Sequence, residues 1–139
     1  MPLKKFFTPA QANAMLPLVG RIVRDIAEQA QQMRALLDRL DRLAIEPDSP
    51  NPLAAEEIEN IEDAVDGGRD RLEELVRELH GLGVLLKDYF AGLVDFPCWM
   101  DGREVYLCWK LGEAEVAHWH EVEAGFSGRQ KLMSAARTV

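Results

Sequence analysis

Residues 16–40 read LPLVGRIVRDIAEQAQQMRALLDRL, and residues 58–82 read IENIEDAVDGGRDRLEELVRELHGL. In the first stretch Leu16, Val19, Val23, Ile26, Ala30, Met33, Leu37 and Leu40 step by three or four residues. In the second, Ile58, Ile61, Val65, Gly68, Leu72, Leu75, Leu79 and Leu82 do the same. That spacing gathers each set on one helix face and predicts a coiled-coil-like seam. Between the stretches, Glu46-Pro47-Asp48-Ser49-Pro50-Asn51-Pro52 cannot continue a helix, because three prolines remove ladder donors and crowd the preceding turn. Two long amphipathic helices joined by so short a break predict an antiparallel hairpin.

Working outward, Thr8-Pro9 is a helix start, with threonine as cap and proline where its missing N–H costs nothing. Pro17 predicts a kink, or a short helix abutting a longer one. Gly67-Gly68 predicts a bend or a thin spot for close helix approach, with a hinge as the sharper alternative. Gly81 and Gly83 end the second helix, and the apolar period then changes to two. Leu93–Cys98 and Glu104–Lys110 read as strands around the turn Asp101-Gly102, and Gly112-Glu113 reads as a second tight turn into a strand over 115–121.

The fold expected is α+β: a long antiparallel two-helix hairpin followed by a small antiparallel β meander. It forms a single domain over 1–139, with the hairpin at 8–82, its break at 46–52, the β tail at 83–130 and a mobile terminus at 131–139. Leu36, Leu43, Val76 and Leu86 widen the apolar faces beyond a strict seam, so a homodimer is expected, built as a four-helix bundle or by tail exchange.

The formal net charge of -8 opposes sequence-independent nucleic-acid binding, and no basic run offsets it. No apolar run has transmembrane length, the start lacks the apolar core of a signal peptide, and two cysteines suit a reducing compartment. The expectation is a cytoplasmic protein without membrane or nucleic-acid partners.

A two-residue Asp101-Gly102 turn sets Met100 against Arg103, Cys98 against Val105, Phe96 against Leu107, Val94 against Trp109, and Asp95 against Cys108. The two cysteines then lie on opposite faces and form no disulfide. A two-residue turn at Gly112-Glu113 sets Leu107 against His118 and Val105 against His120. Both histidines would then share the face of Val94, Phe96 and Cys98, and a one-residue slip would move them to the other.

His118-Trp119-His120-Glu121 is the compact cluster with metal-ligand chemistry, since histidines at i and i+2 of a strand point the same way. Asp95, Cys98, Cys108, Glu113 and Glu121 are the further donors in reach of such a tail. In the expected register Cys98 and His120 flank the middle strand, about 9–10 Å apart, so a shared metal needs a strongly curled sheet or a ligand from another chain. No Cys-x-x-Cys or His-Glu-x-x-His is present. Nucleophilic chemistry is poorly served: Ser127 sits in Gly-Phe-Ser-Gly rather than a nucleophile elbow, and a cysteine–histidine pair drawn from Cys98 or Cys108 with His120 would use a buried thiol. Paired acids such as Glu73/Glu74 are solvated helix faces, and His80 suits a helix C-terminus.

Several tail segments carry a resemblance: Gly92-Leu93-Val94-Asp95-Phe96-Pro97, Asp101-Gly102-Arg103-Glu104-Val105, Leu107-Cys108-Trp109-Lys110-Leu111-Gly112-Glu113, Trp119-His120-Glu121 and Gly125-Phe126-Ser127-Gly128-Arg129. With Phe7-Thr8, Ala12-Asn13 and Leu16-Pro17-Leu18-Val19, they make the chain similar to a prokaryotic family, domain of unknown function 2203, over essentially its whole length. The resemblance brings no catalytic residues with it. Asp95, Arg103, Cys108, Trp109, Glu113, Trp119, His120, Glu121 and Arg129 match its pattern. His118 departs from it, since an aromatic or apolar residue is usual there, which favours His120 over the pair.

The reading is a non-enzymatic, dimeric interaction or scaffold module. It recognises a protein partner through Trp99, Arg103, Tyr106, Trp109, Trp119 and Arg129, with Glu113 beside them. An equal alternative for the aromatics is that they seal the tail against the helices. No cofactor belongs to this reading. The alternative function is a metal-binding protein, zinc being the type and hydrolase or redox activity its chemistry, with His120 as ligand and Asp95, Cys108, Glu113, Glu121 or His118 completing the sphere; a third is a ligand-binding module with a pocket between tail and hairpin.

Overall fold

The structure is a computed structural model and describes residues 4–45 and 52–132. The segment 46–51 within the proline-rich break and the terminus 133–139, expected to be mobile, lie outside the described residues.

Helix α1 spans Pro9–Ile45 and α2 spans Pro52–Gly81. Thr8 Oγ1 accepts from the Gln11 N–H at 3.1 Å while Gln11 Oε1 accepts from the Thr8 N–H at 2.9 Å. This reciprocal capping box satisfies two otherwise orphaned donors. The helix then continues through Pro17 without a break. At the far end of α2, Val84 N–H donates to Leu79 O and Gly83 N–H to His80 O, with Gly83 at φ 90. These two bonds form the Schellman stop that glycine makes possible.

The helices run antiparallel: Arg39 pairs with Glu57 at 2.8 Å near the break, while Gly68 abuts Gln29 and Met33 farther along. A methyl group on Gly68 would lie 2.7 Å from Gln29 Nε2 and 3.1 Å from Met33 Cγ, so the thin-spot reading holds. The buried stripe is Val19, Val23, Ile26 and Ala30 facing Ile61, Val65, Leu75 and Leu79. Beyond Ala30 the seam thins, and Leu37, an expected seam residue, is 44% exposed.

Five antiparallel strands follow in simple meander order: β1 Leu85–Asp88, β2 Leu93–Met100, β3 Arg103–Lys110, β4 His118–Glu121 and β5 Gln130–Lys131. Asp101 at φ 52 and Gly102 at φ 79 make the two-residue turn, and the β2–β3 register is the expected one from Met100↔Arg103 to Val94↔Trp109. Strand β1 and the short β5 add to the expected meander.

The β3–β4 register differs from expectation by one residue. Cys108 opposes His118 and Tyr106 opposes His120, because 111–117 is a longer connection rather than a tight turn. Val94, Phe96, Cys98, Val105, Leu107 and Trp109 pack against the helices as one core. Pro97 sits mid-strand where its carbonyl accepts from Phe7 N–H at 2.7 Å, so its missing donor faces the N-terminal segment and spares the β3 ladder. Gly92, at φ 67, is the β1–β2 contact with α1: a Cβ there would meet Leu111 Cβ at 2.7 Å and Val23 Cγ1 at 2.9 Å. No helix among the described residues is long and apolar enough to cross a membrane.

Candidate metal centre on the outer sheet face

The side chains of Asp95 (β2), Cys108 (β3) and His120 (β4) converge on the sheet face turned away from the helices. All three are buried, at 1%, 0% and 2% exposure. One donor atom from each lies within 4.8 Å of the others. The shifted register creates the cluster, since the expected one would have turned His120 toward Phe96 and Cys98 on the opposite face.

His120 is held at both ring nitrogens. Nδ1 is 2.7 Å from the Glu121 carbonyl oxygen, an acceptor only, so Nδ1 carries a proton and donates it. Nε2 is 3.0 Å from Asp95 Oδ1. Two lone pairs at that distance repel unless something positive lies between them, either a proton or a metal ion. A ligating histidine typically shows this arrangement, one nitrogen bonded to a backbone carbonyl and the other aimed at the metal. The Tyr106 ring stands edge-on to the imidazole at 5.6 Å and limits its rotation.

Burial raises the Asp95 pKa, against the opposing hydrogen bond and charge of His120 and the charge of Lys87. Burial, reinforced by the Asp95 charge, pushes the Cys108 thiol up to about 11. Cys108 is therefore a protonated thiol in the absence of a metal. A cysteine–histidine nucleophile does not fit here, because both nitrogens of His120 are engaged elsewhere and the thiol is buried and held in its protonated form.

Other candidates sit around or away from this cluster. Glu113 accepts from the Lys110 N–H at 2.8 Å and pairs with Arg129, whose positive charge opposes the upward push on the Cys108 thiol. His118 lies beside Glu113, its Nδ1 3.8 Å from Oε2, and that nitrogen is buried without a hydrogen-bond partner. Glu121 is on the opposite face, engaged by Arg103, and so is separate from the cluster. Cys98 is likewise in the helix-side core, and both cysteines are free.

The expected partner-binding aromatics divide. Trp109 is a core residue at 4% exposure, with Nε1 donating to the Glu113 carbonyl at 3.1 Å, so it is no surface anchor. Tyr106 is buried between Lys4 and Lys87, and Trp119 packs on the core under Arg103. Trp99 alone of the set is widely exposed, at 61%, with Phe6 edge-on to it at 5.8 Å. Sequence reasoning missed Lys87, which adds positive potential at Asp95, since its strand is too short to stand out.

No curated protein and no solved structure matches this chain. A family model does match, over residues 5–132, and by that match the chain belongs to the family described as Uncharacterized conserved protein (DUF2203).

Proposed function

We propose that this protein binds a divalent transition metal of the zinc class through Asp95 Oδ1, Cys108 Sγ and His120 Nε2. The observation that carries the reading is the orientation of His120: its Nδ1–H is tied to the Glu121 carbonyl while Nε2 faces a buried carboxylate and thiol. A carboxylate, a thiolate and an imidazole form a donor set suited to zinc, with a fourth position left for a water or other small donor. Binding releases the Cys108 proton and any proton shared by Asp95 and His120. The near-complete burial of the ligands supports a structural clamp across β2, β3 and β4 over substrate turnover.

Metal analysis by mass spectrometry on zinc-reconstituted, untagged protein tests this. One equivalent is expected, and cobalt in its place should show thiolate-to-metal charge-transfer absorption. Cys108→Ser should abolish that absorption. His120→Ala should weaken binding more than about 100-fold, since loss of outer-shell support alone costs 10–100-fold. Metal-free protein after reconstitution with both zinc and cobalt would sink the reading.

A second reading, a homodimeric scaffold, has its own support. From Gln31 to Ala44 no described residue of α1 is buried, yet Met33, Leu36, Leu37, Leu40 and Leu43 recur there. Beyond the Arg39–Glu57 pair made within the chain, the facing start of α2 is acidic at Glu56, Glu59, Glu62 and Asp63, while α1 offers Arg34 and Arg42. Packing α1 of one copy on α2 of another would cover the leucines and pair those charges. Of the aromatics expected to meet a protein partner, Trp99 is the exposed one, with Phe6 beside it. Light scattering behind size exclusion should give a dimer mass, reduced to a monomer by Leu37→Glu with Leu40→Glu at unchanged helicity. A monomer at all concentrations in the unaltered protein removes this reading.

A further inference from the structure

A second concave feature lies on the helix side of the sheet, away from the metal-ligand cluster. Helix α1 from Asn13 to Arg24 forms one wall, and the segment after β3 forms the other, with Trp109 between them. The cleft is open to solvent along one side and offers about 800 Å³, within the range of small-molecule sites.

Its walls are fixed before any ligand arrives. Asn13 Oδ1 accepts from the Val116 N–H at 2.7 Å, tying the loop to the helix. The Trp109 indole donates to the Glu113 carbonyl at 3.1 Å, tying it to β3. The Glu113 carboxylate accepts from the Lys110 N–H at 2.8 Å and pairs with Arg129, tying it to the segment before β5. Gly20 brings the α1 backbone close to the Trp109 ring, since even a Cβ there would already be in van der Waals contact, 3.7 Å from the indole Cη2.

The charge at the mouth runs against the rest of the chain. The net charge is -8, yet Arg21 and Arg24 sit one helical turn apart on the cleft wall, both exposed. Among the described residues neither guanidinium has a carboxylate at salt-bridge distance. Of the two acids lining the cleft, Glu113 is already engaged by Arg129, which leaves Glu115 at the exposed rim. Paired guanidinium groups match the oxygens of a phosphate or carboxylate with planar, two-point hydrogen bonds. Leu16, Pro17 and Leu111 supply apolar surface beside them.

We propose that this cleft binds a small organic anion: a phosphate or carboxylate held by Arg21 and Arg24, carried on an apolar body that lies against Leu16, Pro17 and Trp109. A nucleic acid would meet the repulsive field of the whole chain, whereas a compact anion meets only the local one. The site goes beyond the metal reading and uses none of its three ligands.

The test is an amide- and indole-detected NMR titration of the full chain with phenyl phosphate, benzoate, inorganic phosphate and, as a neutral control, benzyl alcohol. Each is taken to about 10 mM, where even a dissociation constant of about 1 mM is near saturation. Expected are saturable shifts at Gly20, Gly112 and the Trp109 indole with at least one aromatic anion. Affinity should fall at least about tenfold in R21Q/R24Q, two exposed helix positions whose change leaves the remaining spectrum in place. Affinity should rise in E115Q, which removes the rim charge. Phenyl phosphate over benzoate identifies a phosphate site, and the reverse a carboxylate site. No saturable shift with any anion, equal binding of benzyl alcohol, or binding that survives R21Q/R24Q overturns the proposal.

Discussion

The Glu113 carboxylate is a small electrostatic knot with a readable pH signature. Burial alone would raise its pKa. The Arg129 hydrogen bond, the Lys110 N–H and the charges of Arg129 and His118 outweigh burial and bring it below the ordinary carboxylate range. A carboxyl group lowered on folding binds its proton more weakly in the native state than in the unfolded chain. The stability it adds is therefore present above its unfolded pKa and is lost as pH falls through the folded one. Glu113→Gln should remove that part of the acid transition and leave the protein less stable near neutrality. Urea unfolding between pH 3 and pH 7 checks this, and parallel curves for the two proteins would refute it. The individual partners were legible as residue types but not as contacts. Asp95 facing Cys108 follows from the Asp101-Gly102 turn alone, whereas His120 reaching Asp95 depends on a register that local sequence leaves open.

Elements show the same division between local and tertiary control. The Thr8–Gln11 box and the Gly83 stop bound the helices by chemistry contained within a few residues, so their ends could be read directly. The 111–117 connection could not: its shape is set by Asn13, more than a hundred residues earlier, and by the Trp109 indole. Gly112-Glu113 alone resembles a hairpin turn, but the distant Asn13–Val116 bond, with the local Trp109–Glu113 bond, holds the chain in a wider path, and β4 is shifted by one residue. The adjacent glycines of α2 test the element scale from another direction. Gly67 has open space where a Cβ would stand, while Gly68 faces Gln29 and Met33. Gly67→Ala should stabilise by about 0.5–1 kcal/mol through helix propensity and a less flexible unfolded chain. Gly68→Leu should cost about 1–3 kcal/mol, because it forces the helices apart. Denaturant midpoints at constant m-value measure both, and equal effects at the two positions would contradict the close approach.

At the scale of the whole molecule, the hairpin and the sheet are stabilised differently. The proximal halves of α1 and α2 share a core with β2 and β3, whereas the distal hairpin has only a thin seam of its own. The outer sheet face contains a cluster whose buried acid, thiol and imidazole contribute little packing and carry desolvation costs. A metal there would convert those costs into bonds that join three strands, and its binding free energy would add to folding. Free zinc at about 100 times its dissociation constant should contribute about 2.7 kcal/mol, which for a chain of this size raises the melting temperature by on the order of 10 °C. The gain should appear as slower amide exchange in β2, β3 and β4, with distal α1 beyond Ala30 unchanged, because local opening there breaks none of the bonds to metal. Chelator should reverse both effects, and His120→Ala should show neither. Calorimetric melts with zinc and with chelator, read beside hydrogen exchange, decide the matter: coincident melts would mean that Asp95 and His120 share only a proton.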